Sequence, residues 1–152
     1  MTTRGTLPIL IADDDPDDRE LAVEALTESR LLNPVHFVHD GVELLEFLQH
    51  RGAYAGNDSP RPGVILVDLN MPRMDGREAI AVIKADPALR QIPIVVLTTS
   101  KAEEDIYRTY DLGVSSYVVK PVTFQALVAV MTDLGRYWFE VVELPDGSPA
   151  AA

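Results

Sequence analysis

The chain alternates short runs of consecutive apolar residues with longer segments in which apolar residues recur at helical spacing. The short runs are rich in Val and Ile, which is typical of parallel strands that are covered on both faces. These runs predict five strands, at residues 8–12, 35–38, 64–67, 94–97 and 117–119.

The segments between and after these runs carry apolar residues three and four positions apart, which predicts helices. The five predicted helices are centred on residues 21–26, 42–48, 79–83, 106–110 and 127–134. Strands that alternate with helices predict a parallel sheet with helices on both faces, because each parallel pair needs a crossover connection. We therefore expect an α/β fold with a doubly wound five-stranded parallel sheet, whose ligands bind beyond the carboxyl ends of the strands.

Length and composition limit the possible functions. The 152 residues, 47% of them apolar, are typical of a single domain, and no apolar run approaches the roughly 20 residues of a membrane span. The net charge of −11 argues against binding to nucleic acid, which needs clusters of Lys and Arg. The chain has no Cys, and its N-terminus does not resemble a secretory signal, so we expect no membrane association and a cytoplasmic protein.

Five carboxylates occupy six positions directly after the first predicted strand, in the segment IADDDPDD. Crowded like charges repel, by about 4 kcal/mol per pair at about 4 Å and an effective dielectric of about 20. Asp15 before Pro16 is a suitable helix N-cap, and the helix dipole would stabilise the carboxylates of Asp17 and Asp18 in the first turn. Asp13 and Asp14, at the end of the strand, are left without such an explanation.

A calcium-binding loop is one alternative for this segment. Asp13, Asp15 and Asp17 match its first three ligand positions, and Glu24 falls at the twelfth. The sixth position, however, is Asp18 in place of Gly, and Pro16 interrupts the loop. The preceding run also predicts a strand where such a loop follows a helix, so we set this alternative aside.

A second acidic position, Asp68, directly follows the third predicted strand. The sheet would bring Asp68 to the same edge as Asp13 and Asp14, and three carboxylates with few other protein ligands suit Mg²⁺. Thr98 and Lys120 end the fourth and fifth strands at that edge. A carboxylate nucleophile, a metal, a hydroxyl group and an ammonium group together predict the formation of an aspartyl phosphate.

These residues resemble a response-regulator receiver domain of the CheY type, with a flavodoxin-like fold. The motifs that carry the resemblance are Asp13-Asp14, Asp68 with Asn70-Met71-Pro72 and Asp75-Gly76, Thr98, and Lys120-Pro121. The match covers a core of about residues 7–134 and leaves 135–152 as a C-terminal extension of one receiver domain spanning 1–152. The resemblance implies that Asp68 accepts a phosphoryl group from a histidine kinase. It also implies that Asp14, Asp68 and the backbone carbonyl of Asn70 bind Mg²⁺, while Asp13 acts through water or orients the metal.

The same resemblance assigns the residues of a switch. Lys120 would pair with the phosphoryl group, Thr98 would move to hydrogen-bond it, and Tyr117 matches an aromatic residue that then swings inward. These movements would change the surface formed by helix 4, strand 5 and helix 5, which would act through a partner. Lys120-Pro121 matches the position of a cis peptide bond in the family, so the resemblance also implies a cis bond between these two residues. The resemblance implies a regulator and not an enzyme, whose own chemistry is at most Mg²⁺-dependent self-phosphorylation and self-dephosphorylation.

A closer similarity is to single-domain regulators that are paired with phytochromes of bacteria and cyanobacteria. It rests on the insertion at 52–63, the segment VVLTTSKAEEDI at 95–106 and the ending YWFEVVELP at 137–145. This similarity implies a phytochrome-type histidine kinase as the phosphodonor.

An enzyme is the alternative from a different class, namely a phosphatase of the haloacid-dehalogenase type that forms an aspartyl phosphate. Such an enzyme needs a second acid two residues after the nucleophile, where this chain has Asn70. The phosphatase pattern also has no counterpart of the Asp13-Asp14 pair of this chain. No Walker motif and no G-x-G-x-x-G is present, which argues against nucleotide hydrolysis and dinucleotide binding.

The C-terminal region carries an apolar stripe that is longer than one strand needs for cover. A helix over 123–142 would be about 30 Å long, and its far end would have to bury against its own sheet or a partner chain. Alternatively, Gly135 breaks the helix and 140–144 adds a strand. We expect a homodimer through this region, from its exposed apolar area.

Overall fold

The computed structural model describes residues 7–56 and 59–138. Within these ranges the strands are Ile9–Ala12 (β1), Val35–Val38 (β2), Val64–Val67 (β3), Ile94–Thr98 (β4) and Ser116–Val119 (β5). The helices are Pro16–Glu28 (α1), Gly41–Gln49 (α2), Gly76–Ala85 (α3), Glu103–Leu112 (α4) and Phe124–Arg136 (α5), with one 3₁₀ turn at Gly52–Tyr54. The predicted order of strands and helices is confirmed, with strand ends that differ by one residue at most.

The described strands form one parallel sheet in the order β2-β1-β3-β4-β5. The chain winds from β1 outward to β2 and then crosses over to β3, so the order reverses between β1 and β3. Ligands of open α/β sheets bind in the crevice at such a reversal, beyond the carboxyl ends of the strands. The doubly wound α/β fold is confirmed, and the residues that follow β1 and β3 lie at the predicted edge.

Each strand sends alternate side chains to opposite faces of the sheet, so the core has two layers. On β1, Leu10 and Ala12 join the layer beneath α2 and α3, together with Ile65 and Ile80. Ile9 and Ile11 join the layer beneath α1 and α5, together with the buried Met131. The continuous apolar runs of the sequence follow from this arrangement, since both faces of the central strands are covered.

Helix α5 continues through Gly135, so the alternative of a break at this residue is wrong. Gly135 is buried, and a Cβ at this position would collide with the side chain of Leu31 after α1. Glycine therefore lets α5 approach the segment that follows α1. Trp138, two residues beyond the end of α5, is buried in the layer beneath α1 and α5, so part of the apolar stripe covers the chain's own sheet.

The residues from 139 onward, including the alternative strand at 140–144, lie outside the described residues. In the described ranges, no helix combines the length and the apolarity that crossing a bilayer requires.

Candidate functional site

The carboxyl ends of four strands meet at one edge of the sheet, and each delivers one polar side chain. Asp13 follows β1, Asp68 follows β3, Thr98 ends β4 and Lys120 follows β5. Backbone hydrogen bonds continue the sheet through these positions: the amide of Asp68 donates to the carbonyl of Ala12 at 3.0 Å, and that of Lys120 to the carbonyl of Thr98 at 2.7 Å. The expected meeting of these residues at one edge is therefore observed.

Asp13, Asp14 and Asp68 form a cluster in which one carboxylate oxygen from each lies within 4.8 Å of the others. Asp13 and Asp68 are buried, whereas Asp14 is exposed at the mouth of the site. Carboxylate oxygens with open access to water suit a hard divalent cation that keeps part of its hydration shell. The residues present therefore fit a divalent metal ion.

Asn70 lies two residues after Asp68 and is exposed. Its backbone amide donates a hydrogen bond of 3.1 Å to Asp68 Oδ1. This contact turns the loop after β3 back onto the carboxylate. The role of the Asn70 carbonyl oxygen as a metal ligand stays a prediction.

Lys120 donates three hydrogen bonds to carboxylates at the site. Its Nζ lies 2.8 Å from Asp13 Oδ2, 2.8 Å from Asp18 Oδ2 and 2.9 Å from Asp68 Oδ2. The contacts with Asp13 and Asp68 place the lysine where it was predicted. The contact with Asp18 was missed, because the position of Asp18 in the first turn of a helix accounted for its charge.

The protonation equilibria of the two partners shift for different reasons. Burial alone would lower the pKa of Lys120, but its hydrogen bonds to Asp13, Asp18 and Asp68 raise it overall. Burial raises the pKa of Asp13, against the opposing effect of Lys120. One ammonium group shared among several carboxylates thus stays charged, whereas each carboxylate receives only part of that charge.

Thr98 is completely buried, and its Oγ1 donates a hydrogen bond of 2.8 Å to Asp68 Oδ1. The neighbouring Thr99 is exposed and lines a cavity beside Lys120. Thr98 therefore contacts the candidate phosphoacceptor, whereas its movement towards a phosphoryl group stays a prediction.

The predicted cis peptide between Lys120 and Pro121 is wrong for this structure, because the peptide bonds of the described residues are all trans. Lys120 reaches the three carboxylates from a trans bond, since its long side chain spans the distance from the end of β5.

Gly76, the first residue of α3, packs directly against the backbone that carries Asp68. A Cβ on Gly76 would lie 2.5 Å from the carbonyl oxygen of Asp68 and 2.9 Å from the Cα of Leu69. The Asp75-Gly76 pair thus has two local functions: Asp75 caps α3 by accepting from the amide of Glu78, and Gly76 permits the close approach.

A second polar network holds the loop between β4 and α4. Arg77 on α3 donates from Nε and one terminal nitrogen to the two oxygens of Asp105 on α4, each at 2.6 Å. Ser100 donates from its hydroxyl group to Asp105 at 2.7 Å. The hydrogen bonds from Arg77 and Ser100 lower the pKa of Asp105 to about 2. Sequence patterns gave no signal for this network, because its partners come from separate elements.

Tyr117 on β5 joins this network from the other side. Its hydroxyl group donates to the carbonyl of Ser100 at 3.0 Å, and its ring is half-buried. The backbone amide of Tyr117 donates to the hydroxyl oxygen of Tyr110 on α4. Tyr117 thus contacts the loop that follows Thr98, and its inward swing stays a prediction.

The interpretation of the other acidic residues after β1 is confirmed for the helix cap. Asp15 precedes Pro16 at the N-terminus of α1, and its side chain accepts from the amides of Asp17 and Asp18. Asp15 therefore belongs to the helix end, whereas Asp13 and Asp14 face the site.

The fold and this arrangement of acids, threonine and lysine define a receiver domain. A family profile described as the response regulator receiver domain matches residues 9–132, and the chain belongs to this family. It is therefore a phosphoacceptor switch of two-component signalling, and its partner is a histidine kinase. The phosphatase alternative loses its support, because the family accounts for the same aspartate chemistry.

Several relatives are similar over nearly the whole chain. Response regulator Rcp1 from Synechocystis sp. is 40% identical over 137 residues, which cover 90% of this chain and 92% of Rcp1. The Mn²⁺-bound form of Rcp1 has a TM-score of 0.83 at 39% identity and covers 91% of this chain and 99% of its own. Phosphorylated RcpA, a cyanobacterial phytochrome response regulator, has a TM-score of 0.85 at 39% identity, with coverages of 92% and 99%.

A third relative is also a response regulator of a phytochrome. RtBRR, a bacteriophytochrome response regulator, is 42% identical with a TM-score of 0.75, and the match covers 94% of this chain and 86% of RtBRR.

Proposed function

We propose that Asp68 is the phosphoacceptor of this receiver domain. The observation that carries the proposal is that Asp68, a buried member of the acidic cluster, contacts both Thr98 and Lys120. An oxygen of the Asp68 carboxylate forms a new bond to phosphorus as the bond between phosphorus and the kinase histidine breaks. The electron pair of the broken bond stays on the histidine nitrogen, and Asp68 becomes an acyl phosphate.

The neighbours of Asp68 prepare this transfer. Lys120 supplies a positive charge at Asp68 Oδ2, where negative charge increases when the phosphoryl group arrives. Thr98 supplies a hydroxyl donor from the neighbouring strand. We propose that Tyr117 responds when Thr98 moves, which changes the surface of α4, β5 and α5.

We also propose that the cation is Mg²⁺, held by Asp13, Asp14 and Asp68 together with the backbone carbonyl of Asn70. The support is the oxygen-only donor set and its partial access to water. When bound, Mg²⁺ neutralises negative charge on the transferring group. With this cation the chain would at most phosphorylate itself from small donors and dephosphorylate itself.

Labelling with a small phosphodonor tests the site. The protein is incubated with Mg²⁺ and acetyl phosphate, and the expected product is a base-labile, acid-stable adduct. Asp68→Asn should abolish the adduct, whereas Asp111→Asn, which changes an exposed aspartate on α4, should leave it unchanged. Equal labelling of wild type and Asp68→Asn would contradict the assignment, and rapid turnover of phosphate esters by wild type would favour a phosphatase.

The phosphodonor is proposed to be a histidine kinase of the phytochrome type. The support is the similarity to Rcp1, RcpA and RtBRR over most of each chain. Transfer from a purified, radiolabelled phytochrome kinase should be much faster than transfer from an unrelated histidine kinase. Equal rates from both kinases would contradict this pairing.

We keep the homodimer through the C-terminal region as a proposal. Met131 and Trp138 are buried within the domain, but Val122, Phe124 and Tyr137 expose large apolar side chains around α5. Light scattering with and without beryllofluoride, which stands in for the phosphoryl group on Asp68, measures the mass. A monomer under both conditions would contradict the proposal.

Three broader expectations also stay proposals. We propose that the chain is a single receiver domain over 1–152, although α5 crosses the expected boundary between 134 and 135. We propose a cytoplasmic location, next to a kinase domain that uses ATP. We propose that nucleic acid is not a partner, because the net charge of −11 opposes contact with phosphates.

A further inference from the structure

We propose that Asp18 is a positioning residue for phosphoryl transfer, which aims the ammonium group of Lys120 at the reacting oxygens. This inference rests on the proposed function of Asp68. Its basis is the contact of 2.8 Å between Lys120 Nζ and Asp18 Oδ2, which is as short as the contact with Asp13.

The geometry of the ammonium group gives Asp18 this role. A lysine ammonium has three N–H donors, and three carboxylate oxygens accept from Nζ here. Asp13 and Asp18 hold two of the donors, which directs the third towards Asp68 Oδ2. Without Asp18, the group could rotate about the remaining two contacts.

Lys120 also has room to move if Asp18 is removed. A cavity of about 250 Å³ lies between α1, α5 and the sheet, and the side chains of Asp18 and Lys120 line it. Its other walls are mainly apolar, from residues that include Leu21, Leu97 and Leu127. The lysine side chain is flexible and has several rotatable bonds. Packing alone therefore does not hold the ammonium group at Asp68.

The secondary structure makes Asp18 a suitable anchor. Asp18 lies in the first turn of α1, whose end is capped by Asp15, whereas Lys120 lies in the connection between β5 and α5. A side chain on a helix is held more precisely than one on a connection. When Asp68 becomes an acyl phosphate, the hydrogen bond from Lys120 to Asp68 must change. The hydrogen bonds from Lys120 to Asp13 and Asp18 need not change. Asp18 thus keeps Lys120 directed at the site throughout the transfer.

A purely structural role for Asp18 makes a different prediction. The carboxylate of Asp18 also interacts favourably with the dipole of α1. Asp17, one residue earlier in the same turn, does the same. Asp17 is exposed, and its carboxylate is not among the partners of Lys120. Matched substitutions at these two positions therefore separate helix stability from the positioning of Lys120.

The test measures labelling by acetyl phosphate at saturating Mg²⁺ for Asp18→Ala, Asp18→Asn and Asp18→Glu, with Asp17→Ala as the control. Misplacement of a reacting group by about 1 Å costs up to about 100-fold in rate, so we expect the maximal rate of Asp18→Ala to fall by about tenfold or more. The acetyl phosphate concentration at half-maximal rate should change little, and Asp18→Glu should recover part of the loss. Asp17→Ala should label like wild type.

Several results would overturn the inference. Wild-type labelling by Asp18→Ala, or equal losses in Asp18→Ala and Asp17→Ala, would show that Asp18 does not position Lys120. If Asp18→Ala does not fold, the same comparison is made with Asp18→Asn, which has nearly the same shape. A failure of Asp18 substitutions to matter while Asp68→Asn abolishes labelling contradicts only this inference, whereas absence of labelling in wild type contradicts the proposed function itself.

Discussion

Thr98 Oγ1 lies 2.8 Å from Asp68 Oδ1, so the last residue of β4 donates directly to the carboxylate that follows β3. Thr98 is completely buried. The carbonyl oxygen of Thr98 accepts from the amide of Lys120, which belongs to the next strand connection. Asp68 is thus linked by hydrogen bonds to the end of β4 and, through Thr98, to the backbone at Lys120.

Replacing Thr98 with Val tests this link, because Val has nearly the same shape but no donor. We expect the free energy of unfolding to fall by about 2 kcal/mol, because a hydrogen bond to a charged carboxylate contributes about 1.5 to 3 kcal/mol. The NMR signals of the Tyr117 ring should no longer respond to beryllofluoride, although Asp68 still binds it. Thr99→Val is the control, and it should behave like wild type. A normal Tyr117 response in Thr98→Val would contradict the proposed link.

Substitution of Lys120 by Gln should change metal binding and labelling in opposite directions. Removal of one positive charge beside the acidic cluster should tighten Mg²⁺ binding by about tenfold or more, because unit charges about 4 Å apart interact by about 4 kcal/mol at an effective dielectric of about 20 and about 1.4 kcal/mol corresponds to tenfold. Labelling by acetyl phosphate should nevertheless slow strongly. Calorimetry and labelling rates check these two effects, with Lys101→Gln, at an exposed position, as the control. Loss of both properties together would instead indicate a misfolded site.

The fold and most of the site could be predicted because they depend on patterns local to the sequence. Strands such as Val64–Val67 are continuous apolar runs, and the residues that follow them necessarily meet at one edge of a parallel sheet. Asp13, Asp68, Thr98 and Lys120 could be placed by this rule alone.

The contacts that could not be predicted depend on side-chain reach across different elements. Asp18 contacts Lys120, although its position in the first turn of a helix already explained its negative charge. Arg77 meets Asp105 only when α3 packs beside α4. The role of Gly135 within α5 also depends on packing, because a glycine is needed there only to make room for the side chain of Leu31.

The neighbouring residues Asp14 and Asp15 should have separable functions. Asp14→Asn should weaken Mg²⁺ binding with little effect on stability, because Asp14 is an exposed member of the acidic cluster. Asp15→Ala should keep metal binding but lower the free energy of unfolding by about 1 kcal/mol, since the cap of α1 is lost. Calorimetric titration and urea unfolding measure both properties for both variants. An exchange of these effects, or the same effect in both variants, would contradict the assignment.

The contact between Arg77 and Asp105 predicts a dependence of stability on pH. The pKa of Asp105 is lowered from 3.8 to about 2 in the folded protein, chiefly by Arg77. A lowered folded pKa adds stability that is complete above the unfolded pKa and is lost as the pH falls through the folded pKa. The stability difference between wild type and Asp105→Asn should therefore be constant above about pH 5 and shrink between about pH 4 and pH 2.

Urea unfolding of the two proteins over this range measures that difference, and carbon NMR of the Asp105 carboxyl group measures its titration directly. A difference that is unchanged down to pH 2, or that grows as the pH falls, would contradict the assigned ion pair.

The most direct test of Asp68 as phosphoacceptor is to locate the phosphoryl group within the chain. After reaction with acetyl phosphate and Mg²⁺, borohydride reduces an aspartyl phosphate to homoserine, and mass spectrometry of the peptides identifies the changed residue. We predict homoserine at position 68 and unchanged aspartate at 13, 14 and 18. Reduction at any of those three positions, with Asp68 intact, would contradict the assignment.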